Sequence, residues 1–590
     1  LMDFDGLVLD PYIDCLVEGL VKDGQLICLT RLADSQVTYR NVWITGSSAE
    51  TLQVFLYGYE RSFPGSQLPD DLNGVVADLT VTGQQVSQVS LKRESIQAKV
   101  LSVGDGYIEL EGYGKVPVAE DFRIYKVYGT LELQDSSAIL TGYDIQQFVV
   151  ADGVICAALT VRALEASNIR VLIRNSDYES IWHESLTITC ADPFRISCDG
   201  WEQTFQGGEV IEIGRDHEWL SRGRLTVTCD SYAGELEVSS VTRSQGAPSY
   251  KGSLEITAGE GGILLVNELA LEDYLCRVVP SEMPSGYPAE ALRAQAVCAR
   301  SYAYGQILAN ACREYGAHVD DSTLYQVYNN IEEQQTTTRA VQDTYGEIAV
   351  WQDQAIQAYY YSTSWGVSED VGVWGTDTDS YGYLVSREIS SDGGEGQADY
   401  SSEDAFRARI DAVFPSDYDS SYPWYRWRTS IGAEQLAEQL NQRLEQYRQQ
   451  YPDQVTAEGS AASFEGPVVS VEVTGRLKGG TVNEMVITGE NIILRLKGQQ
   501  VIRNMLGSEE MVYRNQEGES AGRAGLPSAF FYVTAEEDGE GTVTFSLIGG
   551  GYGHGVGMSQ NGAAGMAQRG KSYQEILAFF YEGASLEKLY

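Results

Sequence analysis

Along the first 165 residues, apolar and polar positions alternate over short runs broken by Gly and Asp, as in "KVLSVGDGYIELEGYG" from Lys99 to Gly114. A period of two places successive side chains on opposite faces of a strand, and Gly and Asp supply the turns. The pattern predicts small β-barrels or a sandwich over residues 1–165. It continues through 166–270, in "IRVLIRNSDY", "SLTITC" and "GRLTVTCDSY", so little of the first 270 residues reads as helix. The rhythm changes at Leu271. From there to about Asn310 the chain becomes helical, mixed strands and loops follow, and a further helix is predicted over Gly432–Tyr451. The acidic, Ser- and Gly-rich stretch from Ser390 to Asp404 reads as an exposed loop, and no internal repeat of fixed period is present.

The stretch from Asn267 to Asn310 predicts helix, turn, helix. Pro288 suits the first position of the second helix, where its missing N–H costs nothing, and Glu290 favours the positive end of the dipole. Leu292, Ala296, Ala299, Ala303 and Ile307 recur at steps of three and four, a narrow stripe of mostly small side chains that permits close packing. Arg293 and Arg300, two turns apart, project from nearly one face and can form a local cationic patch. Glu282 falls in the predicted turn between Pro280 and Pro284, with Met283 and Tyr287 as apolar neighbours. Desolvation there favours the protonated form that a general acid needs, against a helix N-terminus that favours the ionised form by about 0.3–1 kcal/mol. On spacing alone, an ordinary helix-entry carboxylate is the commoner reading.

A second dense segment lies at the C-terminus. After the strand pattern "GTVTFSLI", seven glycines fall between Gly549 and Gly562, so the backbone must approach something closely. The segment satisfies neither the dinucleotide fingerprint nor the phosphate loop nor the serine-hydrolase elbow, which removes nucleotide cofactors from consideration. His554, Ser559 and Gln560 form a small polar cluster suited to a sugar's hydroxyl and acetamido groups; a tight turn with a satisfied histidine is the competing reading.

Charge narrows the partners. Asp plus Glu total 84 against 41 Lys plus Arg, a net charge of -43, and nucleic acid is excluded as an expected partner. No run approaches the roughly 18 apolar residues of a membrane span, so a soluble chain is expected. It opens at Leu1 and not at an initiator Met, which suggests a fragment whose export signal or anchor lies outside it. The nine cysteines include no CxxC pair and are too few for a disulfide scaffold; Cys190 and Cys198 are near enough in sequence to bridge, subject to geometry.

The segments "NELALEDYL", "VVPSEMP", "ALRAQAVCARSYA" and "GHGVGMSQNGA", with "YKGSLEI", "VIRNMLG" and "LPSAFF", resemble the stage II sporulation protein D or amidase-enhancer family over about residues 166–590. Residues 1–165 lie outside the resemblance and keep their reading from the strand pattern, N-terminal small β-barrel or sandwich domains of accessory role; with them the resemblance implies an α+β protein, in which a β-rich start of the family domain (166–270) is followed by a mixed α/β catalytic domain with a substrate cleft (271–590). It implies a lytic transglycosylase acting on peptide-free peptidoglycan glycan strands, with Glu282 as catalytic acid and no cofactor. Substrate binding falls to Arg293, Arg300, Ser362, Ser364, Gly553, His554, Ser559 and Gln560, the arginines meeting the lactyl carboxylates of muramic acid. An extracytoplasmic location follows, secreted or anchored. The alternative within the family is a non-catalytic wall-binding protein that stimulates a peptidoglycan amidase of the sporulation machinery. A third class, a cysteine hydrolase using Cys298 or Cys276 with His554, is disfavoured because both cysteines lie on apolar helical faces without an adjacent base.

Two departures from the family pattern matter. "YSTSWG" from Tyr361 to Gly366 has Tyr where the family has His, and Trp365 where it has Gly, so an acid–base role there is lost while Trp365 could stack on a sugar or pack internally. Zinc, bound by some members near Ala311–Asn330, finds only Cys312 and His318 here, and no metal is expected. His183 and His217 read as structural.

Overall fold

Strands with one apolar face dominate the N-terminal half because Val, Ile and Leu recur there at every second position. Gln36–Ser47, Thr51–Leu56, Tyr59–Pro64, Val75–Thr82 and Gln85–Lys92 form a five-stranded antiparallel sheet. Its inward positions, including Val42, Ile44, Leu52, Val54, Phe63, Leu79 and Val81, make one core. The structure is a computed structural model and describes residues 4, 6–66, 68, 72–328, 330–392, 398–539 and 541–590. Residues 393–397 of the loop expected at Ser390–Asp404 therefore lie outside the described residues.

The chain divides into two compact units. The first comprises Leu1–Leu271 with Gln306–Asn330, and the second comprises Glu272–Gly305 with Ile331–Tyr590. In the first, a seven-stranded sheet follows residues 94–160, in which Gly114–Lys126 pairs parallel with Val154–Thr160. Another seven-stranded sheet runs from Trp201–Phe205 through Gly262–Ala270 and Asn168–Leu172 to Val319–Asp320. That last strand comes from the segment beyond the helical region, which the contiguous boundaries expected from sequence did not anticipate.

This sheet holds a buried charge cluster. Arg170 has no exposed side-chain surface and donates to Glu255, to Glu268 and to the Gly316 carbonyl, while Arg224 bridges Glu109 and Glu255. Burial pushes the Glu255 carboxyl up, but the two guanidiniums outweigh it and hold it down at about 2. His318 sits beside them: its Nδ1 accepts from the Arg170 N–H at 3.1 Å and its Nε2 lies 2.8 Å from the Thr141 carbonyl. Burial takes it down to about 3, and both ring nitrogens are committed. His183 is likewise tied to the Ile173 carbonyl, and His217 caps a 3-10 turn by accepting from the Trp219 N–H. The partner of Cys190 is Cys229, at 3.2 Å between sulfurs, and not Cys198, whose thiol points to the Arg222 carbonyl. The two thiols come from strands of different sheets, Ser185–Cys190 and Leu225–Cys229, so packing between sheets and not sequence distance decides which thiols meet.

Helix takes 20% and strand 41% of the chain, an α+β composition. The α-helices are α1 (Leu271–Glu282), α2 (Ala289–Ala309), α3 (Gln335–Asp343), α4 (Glu403–Ile410), α5 (Ala433–Gln450), α6 (Gln499–Leu506), α7 (Gln560–Gln568) and α8 (Tyr573–Phe580). In the second unit, α5 and α6 pack on a five-stranded and a four-stranded antiparallel sheet through Leu436, Leu440, Ile502 and Met505. A separate core gathers Ala291, Leu292, Ala294, Val297 and Cys298 of α2 with Val556, Met558, Ala563, Ala564 and Ile576. The expected stripe on α2 is buried, but so are Ala291, Ala294, Val297 and Ser301, so the helix is enclosed on nearly all sides. Small side chains make this possible.

Candidate active site

Glu282 is the last residue of α1 and does not stand in a turn; the helix runs through Pro280, which removes one helical donor two residues before the helix ends. The carboxylate therefore sits at the negative end of a helix dipole, where sequence placed it by a positive one. The loop that follows is pinned at both ends. Met283 is fully buried with its N–H on the Val279 carbonyl, Thr336 Oγ1 donates to the Ser285 carbonyl at 2.7 Å, and Tyr287 donates its hydroxyl to Asn561 Oδ1. Gln560 Nε2 donates to the Glu282 carbonyl at 3.0 Å and to Gln295 Oε1 at 3.3 Å. The acid's backbone is thus tied to α2 and to the start of α7. Gln295 Nε2 is buried and has no partner among the described residues.

The glycine-dense run answers its own spacing question. Gly551, Gly553, Gly555 and Gly557 all have positive φ, between 77° and 115°. They alternate with residues that pair with the segment 359–369: Thr363 and Tyr552 exchange both backbone hydrogen bonds, the Glu369 N–H donates to the Gly555 carbonyl, and the Met558 N–H donates to the Tyr359 carbonyl. A Cβ at Gly557 would lie 2.0 Å from the Tyr359 carbonyl oxygen. The close approach is to the chain itself.

His554 is locked as a neutral tautomer. Its Nδ1 accepts from the Val556 N–H and its Nε2 donates to the Tyr360 carbonyl, both at 3.1 Å. Burial, then the Arg503 charge, takes it down to about 4 against the pull of the Tyr360 carbonyl. Ser559 caps α7, and its hydroxyl donates to Asp419 Oδ1 at 2.6 Å; Ser364 donates its N–H and its hydroxyl to the same carboxyl at 2.8 Å each. Both serines are fully buried and serve Asp419. Ser362 is half-buried, its hydroxyl 3.2 Å from Thr363 Oγ1, and Gly553 is half-buried over Tyr361.

The two arginines do not form the expected cationic patch. Arg300 is completely buried, bidentate on Glu272 at 2.7 Å and donating to the carbonyls of Val341 and Glu347. Arg293 is held by Glu290 and Asp343. Seven residues put them near one face, but the partners on that face already use their donors. Trp365 is also internal: it packs against Phe406, Tyr400 and Phe530, and its indole donates to the Gly479 carbonyl at 3.0 Å. Tyr361 is buried, and its hydroxyl has no partner among the described residues. Cys298 is fully buried, and burial pushes its thiol up to about 12, which leaves no thiolate nucleophile.

Sequence reasoning passed over several residues here. Asp419 and Glu369, both fully buried, are each raised by desolvation to about 7, against donors from Ser559 and Ser364 in one case and from Gly479 and Thr481 in the other. Tyr302, Tyr359 and Trp374 form one ring group with His554 without any motif to mark them; only their aromatic character was visible. Arg503, in the segment quoted as "VIRNMLG", donates to the Leu526 and Pro527 carbonyls and brings positive charge to His554.

Comparison with known proteins follows the same segments. Residues 259–351 match the family model described as "Stage II sporulation protein", and residues 373–557 match a domain family of unknown function. The chain is 28% identical over 366 residues to stage II sporulation protein D of Bacillus subtilis, covering 60% of this chain and 84% of that protein. It is 28% identical over 314 residues to the Bacillus subtilis amidase enhancer, covering 52% of this chain but only 39% of that protein. An uncharacterized protein of Brachyspira hyodysenteriae is 29% identical over 338 residues, covering 57% of this chain and 72% of its own length.

Proposed function

We propose, for a chain that belongs to the stage II sporulation protein D and amidase-enhancer family, that it acts on the bacterial cell wall as a lytic transglycosylase for peptide-free glycan strands. The observation that carries this reading is the bond from Gln560 to the Glu282 carbonyl, which joins the acid to the glycine-dense motif at a distance of 3.0 Å. Two motifs nearly three hundred residues apart in sequence meet at the backbone of the residue that carries the acid.

One carboxylic acid suffices for this reaction. Protonated Glu282 gives its proton to the β-1,4 oxygen between N-acetylmuramic acid and N-acetylglucosamine, and the C1–O4 bond breaks. The resulting carboxylate then takes the proton of the muramic acid C6 hydroxyl as O6 bonds to C1, closing a 1,6-anhydro ring. No water is consumed, and Glu282 ends as it began. Because the nucleophile belongs to the sugar already bound, proximity supplies much of the acceleration that a second carboxylate supplies in a hydrolase. His554, neutral and doubly hydrogen-bonded, takes no proton; it shapes the wall of the site. A glycan substrate outside the membrane makes this an extracytoplasmic protein.

The test is incubation of the full chain with peptide-free glycan strands and mass spectrometry of the products. 1,6-anhydromuramoyl ends are expected from the parent, and Glu282→Gln should lose about 10²–10⁴-fold in rate while still binding strands. Binding by the parent with no cleavage at all would leave a wall-binding protein that stimulates an amidase, the function that the name of one relative states for that protein.

A further inference from the structure

Beside the acid, rings from three separate stretches of the second unit form a continuous wall. Tyr302 on α2 and Tyr359 have centroids 6.3 Å apart, Tyr359 and Trp374 4.9 Å, and Trp374 and His554 5.3 Å. Tyr359 and His554 close the group edge-to-face at 6.4 Å. Gln560 Nε2 joins the Glu282 carbonyl at 3.0 Å to Gln295 Oε1 at 3.3 Å, and Tyr302 lies two turns along α2 from Gln295, so the Tyr302 end of this wall is the one toward the acid's residue; the Glu282 charge also contributes, behind burial and Tyr359, to the raised Tyr302 phenol. The rings differ in depth: Tyr302, Tyr359 and His554 are half-buried, whereas Trp374 is 41% exposed in a unit that buries Trp365 and Trp427 almost completely.

An exposed indole is ordinarily mobile, but this one is built in. It ends the 3-10 turn Val371–Trp374, where Val371 and Val373 are buried, Asp370 accepts from the Gly372 N–H at 2.8 Å, and Gly375 stops the turn in a left-handed conformation. Behind it, the Tyr359 carbonyl accepts from the Tyr581 hydroxyl and the Met558 N–H, and both His554 nitrogens are engaged. The rings stand at 55° to 81° to one another, so the exposed indole offers its own face, aromatic, uncharged and fixed before a ligand arrives, which reduces the ordering cost of binding. Such a surface suits the axial C–H face of a pyranose ring. It supplies no cation for a carboxylate and no donor array for a phosphate.

We propose that Trp374, backed by Tyr359 and His554, is a stacking platform for a β-1,4-linked N-acetylhexosamine ring in a glycan whose neighbouring linkage reaches Glu282. The proposal rests on the glycan-cleaving reading above for its choice of ligand. Trp374 is a positioning residue in it: the ring it holds sets which bond meets the acid.

The experiment uses the full chain carrying Glu282→Gln, so that nothing is cleaved. An uncharged β-1,4-linked tetramer of N-acetylglucosamine and peptide-free glycan strands are titrated in turn, by calorimetry and by indole fluorescence. Trp374→Ala on this background is expected to weaken both affinities roughly tenfold, and Trp374→Tyr to recover most of the loss, with the same thermal midpoint in all three proteins. Unchanged affinity in the alanine variant would overturn the platform. So would a tyrosine variant that binds as weakly as alanine and melts at a lower temperature, which would mark Trp374 as a packing residue. The two readings fail separately: a parent that makes 1,6-anhydro ends beside an alanine variant with normal affinity removes only the platform, and a parent that makes none beside a weakened alanine variant removes only the cleavage reaction.

Discussion

Asp419 belongs to no motif, yet it organises two of the serines that do. With Ser559 and Ser364 as donors and no exposed surface, its carboxyl is raised by burial to about 7, so the folded protein holds a proton there that the unfolded chain releases near the ordinary carboxylate range. Between roughly pH 4 and 7 the native state thus binds more protons than the unfolded state at this site, and the site's contribution to stability falls as pH rises through that window. One such proton changes the unfolding free energy by at most about 1.4 kcal/mol per pH unit. Asp419→Asn, which mimics the protonated form, should flatten this part of the curve relative to the parent in urea unfolding at several pH values. A variant whose stability follows the parent's slope across pH 4–7 would show that Asp419 is ionised in the fold. His554 acts with the opposite sign: burial lowers its imidazole to about 4, so between about pH 4 and the ordinary histidine range the unfolded chain binds the extra proton and this site's contribution to stability rises with pH.

At the scale of elements, Arg300 clamps α1 to α2. Its guanidinium meets Glu272 in the first turn of α1, and two further donors reach the carbonyls of Val341 in α3 and Glu347 in the strand Glu347–Trp351. Removing one member of a buried pair leaves the other charge without compensation, so Arg300→Met is expected to cost about 3–5 kcal/mol in urea unfolding. The double variant Arg300→Met with Glu272→Leu should recover part of that loss, because the pair's desolvation disappears with both charges. If the single variant unfolds like the parent but loses glycan affinity, Arg300 faces substrate and not α1. The helix that carries it also explains why Glu282 ends α1: α2 is enclosed by apolar neighbours, and the six residues between the helices are fixed by Met283, Tyr287 and Ser285 contacts.

For the whole molecule the net charge of -43 is the dominant field. Peptide-free glycan exposes a lactyl carboxylate on every muramic acid, and Arg293 and Arg300 are already engaged by Glu290, Asp343 and Glu272. Binding on the proposed reading therefore works against long-range repulsion, and raising NaCl from about 0.05 to 0.3 M should strengthen co-sedimentation with peptide-free strands while leaving the uncharged tetramer unaffected. Weaker binding at high salt would instead reveal an attractive cationic surface. The sequence by itself determined the succession of β-rich and helical regions, since periods of two and of about 3.6 are local properties, and it marked the glycine-dense run as special because Gly frees the backbone wherever it occurs; Glu282 stood out only through the family resemblance of its segment, since its spacing fits an ordinary helix-entry carboxylate. It did not determine that Glu282 closes a helix, that Arg300 and Trp365 turn inward, that residues 306–330 rejoin the first unit, or that Cys190 meets Cys229. Those outcomes depend on which distant side chains fill the remaining space and hydrogen bonds, a competition that spacing along one strand or helix does not encode and that only the packed chain resolves.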